Sequence, residues 1–178
     1  MKNSTFPAMQ TEENNWIGEL FIDLLNDVYY SEKAFAKIIP RLINNTNSEE
    51  LADNLKEYLE ISRKQDGRIK AIFTLIEETP VTKRCERVAN LITEAEEILK
   101  NAEPGALLDS AIVLIGQKMV DYEIESYRTL CSLSKTLDES EVTTLLEKNL
   151  KEKTQGKESL LILVETIMNT ELPQEVYW

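Results

Sequence analysis

Apolar residues recur every three or four positions along most of the chain, which is the helical period, and no stretch competes with a two-residue strand alternation. The first segment runs from about Asn14 to Asn44, with Ile17, Phe21, Leu24, Val28, Phe35, Ile39 and Leu42 on one face. Pro40 falls inside it and removes the amide bond to residue 36. The run Asn44-Asn45-Thr46-Asn47-Ser48 breaks the pattern. Asn47 or Ser48 can cap the next helix, and Glu49 and Glu50 then sit at the positive end of its dipole. This second helix extends from about Glu49 to Glu78, with Leu51, Leu55, Tyr58, Ser62, Ile69, Phe73 and Ile76 facing inward, and Thr79-Pro80 ends it.

A shorter helix covers about Lys83 to Asn101, and Pro104-Gly105 separates it from another at about Ala106 to Thr136. Ile112, Ile115, Met119, Glu123, Ser126, Leu130 and Leu133 share the inner face of the latter. Asp138 and Glu141 have the spacing of a capping box, and a fifth helix follows to about Asn169. The expected organisation is a tail at 1–13, one helical bundle at 14–169 and a tail at 170–178. Four long helices, with a short one in the crossover between the second and third, predict an all-α, ferritin-like four-helix bundle.

Several polar residues interrupt the inner stripes. Glu32 lies four after Val28 and three before Phe35, and Glu123 lies four after Met119 and seven before Leu130. Either each is a boundary residue whose carboxylate reaches water, or both are buried and need partners. On the fifth helix Val142, Leu146, Leu160, Val164 and Ile167 set the core face, and Lys153, Gly156 and Lys157 fall between them. The lysines either snorkel to solvent or pair with Glu32 and Glu123 so that two charges of each sign cancel. On the second helix Ile61, Ser62 and Gln65 lie on or near the inner side, whereas Glu60 and Arg63 point off it. Tyr58, Tyr122 and Tyr127 can either pack or hydrogen-bond around this level.

Composition narrows the chemistry. The chain has 178 residues, 42% of them hydrophobic and 29% charged, with a formal net charge of -12. Such a surface repels phosphate backbones and anionic lipid, so neither nucleic acid nor membrane is an expected partner. No signal segment or long apolar run is visible, and a cytoplasmic location is the expectation by elimination. Cys85 and Cys131 fall on different predicted helices without CxxC spacing, and are expected to be reduced. The chain has no histidine at all. That removes Ser-His-Asp and Cys-His nucleophile pairs and the HExxH zinc site, and leaves only oxygen ligands for a metal, which suit Mg, Ca or Mn better than Zn.

The segments LLNDVYYSEKA, AKIIPRL, LADNLKEYLE, QKMVDYEIESYRTL and LLEKNLKEK resemble the YciE/YciF family of ferritin-like bacterial proteins, over about Leu20 to Ile167. The resemblance implies a bundle with an extra short helix, often dimeric, with a carboxylate-rich centre proposed to bind metal and a link to stress responses. It implies that Glu32 and Glu123 stand at family glutamate positions. By the same alignment a second family Glu is replaced by Val120, the helix-two Glu falls on Ile61, and a Glu and an Asp on helix five become Lys153 and Lys157.

The expected function is thus a non-enzymatic helical bundle, with no cofactor, in which buried Glu–Lys pairs replace the metal site. The alternatives are a di-iron or manganese carboxylate site using Glu32, Glu123 and Glu152 or Glu60, and a generic acidic scaffold. A homodimer is expected by resemblance, and no protein partner is identified.

Overall fold

The computed structural model describes residues 12–171, with side chains from 15 to 167. It contains five α-helices: α1 (Glu12–Asn45), α2 (Glu49–Leu75), α3 (Glu86–Asn101), α4 (Ala106–Thr136) and α5 (Ser140–Glu171). The expected tails, apart from residues 12–13 and 170–171, which belong to α1 and α5, lie outside the described residues. α1 packs on α2 and α4, and α5 packs on the same two helices, so the four long helices close a ring. α3 rests on α1 and α4. α1 runs through Pro40 without ending, with the proline on its exposed side.

The apolar interior is divided in two. One core gathers Phe35, Leu42, Leu51, Leu55, Ile112, Met119 and Leu160, and α3 adds Val88 and Ala95 to it. The other gathers Phe21, Val28, Ile69, Phe73, Leu130, Val142 and Leu146. α1 and α5 pass from the second core to the first, and α2 and α4 pass the other way. Because α2 and α4 run in the same direction, the chain must travel back between them, and α3 makes that return. Burial of these side chains contributes roughly 1.5–3 kcal/mol each relative to exposure.

Helix ends follow local chemistry. Ser48 caps α2, its Oγ accepting from the Leu51 amide at 3.2 Å. α2 stops at Leu75 rather than Glu78, because the Glu78 amide turns back to the Phe73 carbonyl (2.9 Å) and the Glu77 amide to Thr74 (3.2 Å). This closure places Glu77 in the left-handed region at φ 55°. The same motif ends α4, with the Glu139 amide on the Ser134 carbonyl and Asp138 at φ 58°. Asp138 therefore closes α4 and does not cap α5, contrary to the capping-box expectation. The Glu139 carbonyl accepts the first α5 bond, from the Thr143 amide. Cys85 likewise precedes α3 as its N-cap rather than lying inside it, and both cysteines are buried and free.

Asp109, buried in the first turn of α4, holds the α1–α2 loop. Its Oδ1 accepts from the Thr46 hydroxyl at 2.5 Å and the Asn47 amide at 3.0 Å. Asp109→Ala strands both donors, and should lower unfolding stability by about 2–3 kcal/mol in denaturant titration. Removal of the exposed Asp53 carboxylate, paired with Lys56 at the surface, should change it by less than about 1 kcal/mol.

Candidate functional site: a buried ionic layer

The two cores are separated by a polar layer to which every long helix contributes. α1 supplies Glu32, α2 supplies Tyr58, Ser62 and Gln65, α4 supplies Glu123 and Tyr127, and α5 supplies Asn149 and Lys153. The α5 stripe explains its share. Buried positions run Val142, Leu146, Asn149, Lys153, Leu160, Leu163 and Ile167, with Gly156 between Lys153 and Leu160. That is an alternating step of four and three, so two polar side chains sit at places in the seam where a leucine would fit.

Lys153 is 2% exposed, Glu32 2% and Glu123 0%. Lys153 Nζ lies 2.6 Å from Glu123 Oε2 and 3.2 Å from Glu32 Oε1, and donates to the Tyr58 hydroxyl at 2.9 Å. It also sits 4.4 Å from the centre of the Tyr58 ring. All three ammonium donors are thereby used. The Tyr58 hydroxyl in turn donates to Glu123 Oε2. Glu32 accepts from the Ser62 hydroxyl and, at 2.9 Å, from the Tyr127 hydroxyl. Asn149 Nδ2 donates to the Tyr127 oxygen at 3.1 Å. The network then leaves the interior: Arg68 donates to Asn149 Oδ1 at 2.7 Å and grips Glu152 through Nη1 and Nη2 at 2.6 and 2.8 Å. Gln65 reaches Glu152 at 3.2 Å.

The layer holds one lysine, not two. Lys157 is half-exposed and pairs with Asp121 across the α4–α5 seam at 2.6 Å, so the expected two-by-two cancellation is corrected to a Glu–Lys–Glu triad. The inward step from Lys153 is three residues, to Gly156, and the fourth residue turns toward the flank. Ile61 is half-buried and lines a cleft of about 120 Å³ between α2 and α5 without a polar role, and Val120 is buried in the first core. Tyr122 bonds Cys85 Sγ at 3.4 Å instead of joining the triad. Glu60 is exposed and paired with Arg63. Sequence reasoning missed Asn149 and Arg68. Asn149 was available from the α5 stripe, three after Leu146 and four before Lys153, whereas nothing in the spacing of α2 points to Arg68.

Two carboxylates share one ammonium, and their environments differ. Glu32 takes bonds on both oxygens, whereas Glu123 takes its two on Oε2, and its Oε1 has no hydrogen-bond partner. Burial, with Glu32 nearby, pushes the Glu123 carboxyl up to about 7 against the opposing pull of Lys153. Burial disfavours the Lys153 ammonium, but Glu123 and Glu32 more than offset it and hold its pKa above the usual value. Burial would raise Glu152 too, yet the Arg68 bonds more than offset it and hold the carboxyl low.

These residues do not fit a two-metal carboxylate centre. The ammonium contacts both acids and stands between them, where a shared cation would have to sit. Among the described residues no three His, Cys, Asp or Glu side chains converge on one point.

The triad makes stability fall as pH rises. The folded chain holds the Glu123 proton more tightly than the unfolded chain, so the contribution is complete below about pH 4.5 and lost by about pH 7. Its size is of the order of 3 kcal/mol. Glu123→Gln should remove this pH dependence, so that variant and parent unfold alike near pH 5 in denaturant titration and the parent falls below the variant at pH 8. Lys153→Met leaves two acids facing each other and should cost about 3–5 kcal/mol at neutral pH. Parallel pH profiles for parent and Glu123→Gln would show that Glu123 carries no extra proton.

Residues 17–173 match the family model described as a domain of unknown function, DUF892. YciF of Escherichia coli K12 is 31% identical over 137 residues, which are 76% of this chain and 82% of that protein. The crystal structure of the E. coli stress protein YciF superposes with a TM-score of 0.84 at 29% identity, over 92% of this chain and all of that one. YcfI of Rhodopseudomonas palustris, to which a structural role has been ascribed, gives 0.79 at 29% identity, over 82% of this chain and 92% of the other. A Xanthomonas campestris protein shares the fold, at 0.69 and 19% identity, over 86% of this chain and 94% of the other. Matched along most of its length by both the family model and YciF, the chain belongs to DUF892, a YciF-like family of unknown function.

Proposed function

We propose that this chain is a non-enzymatic, ferritin-like four-helix bundle in which an ion-paired layer has replaced the family's carboxylate metal site, and that its role is structural or partner-binding within a stress response. The observation that carries this is the place of Lys153 Nζ, in contact with both Glu123 and Glu32 in the interior. A fixed positive charge there repels a divalent cation at contact distance, in a medium that screens weakly. The remaining positions where the resemblance expects acids support the same reading. Val120 is core, Ile61 is apolar and Lys157 is a cation paired at the surface. The acids that a metal oxidase could recruit are engaged elsewhere, Glu152 by Arg68 and Glu60 by Arg63. The stress description of YciF and the structural role ascribed to YcfI favour the non-catalytic assignment. A homodimer is part of this reading by resemblance, a cytoplasmic location by elimination and the lack of a cofactor by the changed acid positions, and no described helix is long and apolar enough to cross a membrane.

Elemental analysis of purified protein, before and after anaerobic incubation with excess Fe(II) or Mn(II), tests the proposal. Essentially no bound metal is expected in either sample. One or two ions per chain would overturn the reading in favour of a carboxylate-only Fe or Mn site. Lys153→Glu, which restores the acid that the resemblance places there, should bind metal where the parent does not. Light scattering should give twice the chain mass if the homodimer is right.

A further inference from the structure

α1 carries a stripe of cations on its outer side. Lys33, Lys37 and Arg41 are spaced four apart, so their side chains follow one another along the helix. Beside this stripe, between α1 and α3, lies a groove of about 370 Å³. Its floor is apolar, with Tyr30 and Ile38 from α1 and Ala89 and Ile92 from α3. Its rim is cationic, with Lys37 and Arg41 from α1 and Arg84 from the segment before α3. Three positive side chains around one groove stand out on a chain with a formal net charge of -12.

Glu96 is the only acid lining the groove among the described residues, and its carboxylate lies 2.8 Å from Arg41 Nη1. That contact shows what the rim offers: a guanidinium presented to a carboxylate above an apolar floor. Both partners are about half-exposed, at 53% and 51%, where such a pair contributes little. An incoming anion can therefore displace Glu96 from Arg41 at little cost. Among the described residues Arg84 pairs with the exposed Glu86, which lies outside the groove.

We propose that the α1–α3 groove binds a small organic anion, a carboxylate or phosphate carried on an apolar or aromatic body. The anionic group sits among Lys37, Arg41 and Arg84, and the body lies on Tyr30, Ile38, Ala89 and Ile92. The volume is at the lower end of the range for small-molecule sites, about 300–1,000 Å³. An inorganic ion would leave the floor uncovered, and a neutral apolar molecule would leave the rim unused. The site uses none of Glu32, Glu123 and Lys153, so it stands whether or not the ionic layer excludes metal.

Calorimetric titration of the full chain with phenyl phosphate and with benzoate tests the proposal, with inorganic phosphate and phenol as the two halves of the ligand. Saturable binding of phenyl phosphate or benzoate is expected, about tenfold or more tighter than either half. The double variant Lys37→Ala, Arg84→Ala should weaken it by about tenfold. Glu96→Gln, a surface change that frees Arg41, should tighten binding by about two- to fivefold, an effect with the opposite sign from mere loss of a surface pair. Ala89→Phe fills the floor and should abolish binding while leaving helicity by circular dichroism unchanged. The proposal is overturned if neither organic anion binds at millimolar concentration, if inorganic phosphate binds as tightly as phenyl phosphate, or if Glu96→Gln leaves affinity unchanged.

Discussion

A lysine ammonium in a protein interior must be met by compensating charge or give up its proton. A domain of this size has only about 5–15 kcal/mol of net stability, and an unpaired buried charge consumes a large part of that. Lys153 is in that position, and the centre of the molecule is arranged around it. Glu32 and Glu123 approach from α1 and α4, and Tyr58 from α2 closes the third donor. Each of these groups then needs partners of its own. The demand passes from Glu32 to Ser62 and Tyr127, from Tyr127 to Asn149, and from Asn149 to Arg68, where the chain of contacts meets solvent. The division of the apolar interior into two cores is the packing consequence of this layer.

Much of this was legible in the residue pattern. The 3.6-residue period fixed which elements exist, and their ends fell within about three residues of the observed ones. Glu32, Glu123 and Lys153 could be recognised because charged residues stood where the stripe called for apolar ones. Lys157 was misplaced because steps of three and of four both stay on a helical face, and only the position of α4, with Asp121 waiting on the flank, decides between Gly156 and Lys157. Asp138 was misread because its spacing to Glu141 mimics a helix start, while the left-handed closure of α4 leaves no composition signal when neither Gly nor Asn occupies it. Asp109 is by position an ordinary first-turn acid, and its hold on Thr46 and Asn47 depends on a loop some sixty residues earlier in the chain.

The triad is also unbalanced in a way that sequence could not reveal. Two acids with two lysines would be neutral without help, whereas two acids with one lysine are neutral only with a proton. Burial raises the Glu123 carboxyl, the group on which such a proton would sit, and one of its oxygens has no hydrogen-bond partner, whereas Glu32 is bonded through both. The same contacts underlie the proposal that no metal binds here: the ammonium touches both carboxylates and already offsets part of their charge.

The ionic layer has one more consequence, for how the helices align. The apolar residues of α5 repeat with a step of three and four, so hydrophobic burial alone would tolerate α5 displaced along its neighbours by seven residues. Such a slip moves Lys153 by about 10 Å along the helix axis. Both acids and the ammonium would then lie in apolar surroundings without partners. The layer therefore acts as a register key, making a single axial alignment of the four long helices far more favourable than the repeats of their own stripes would.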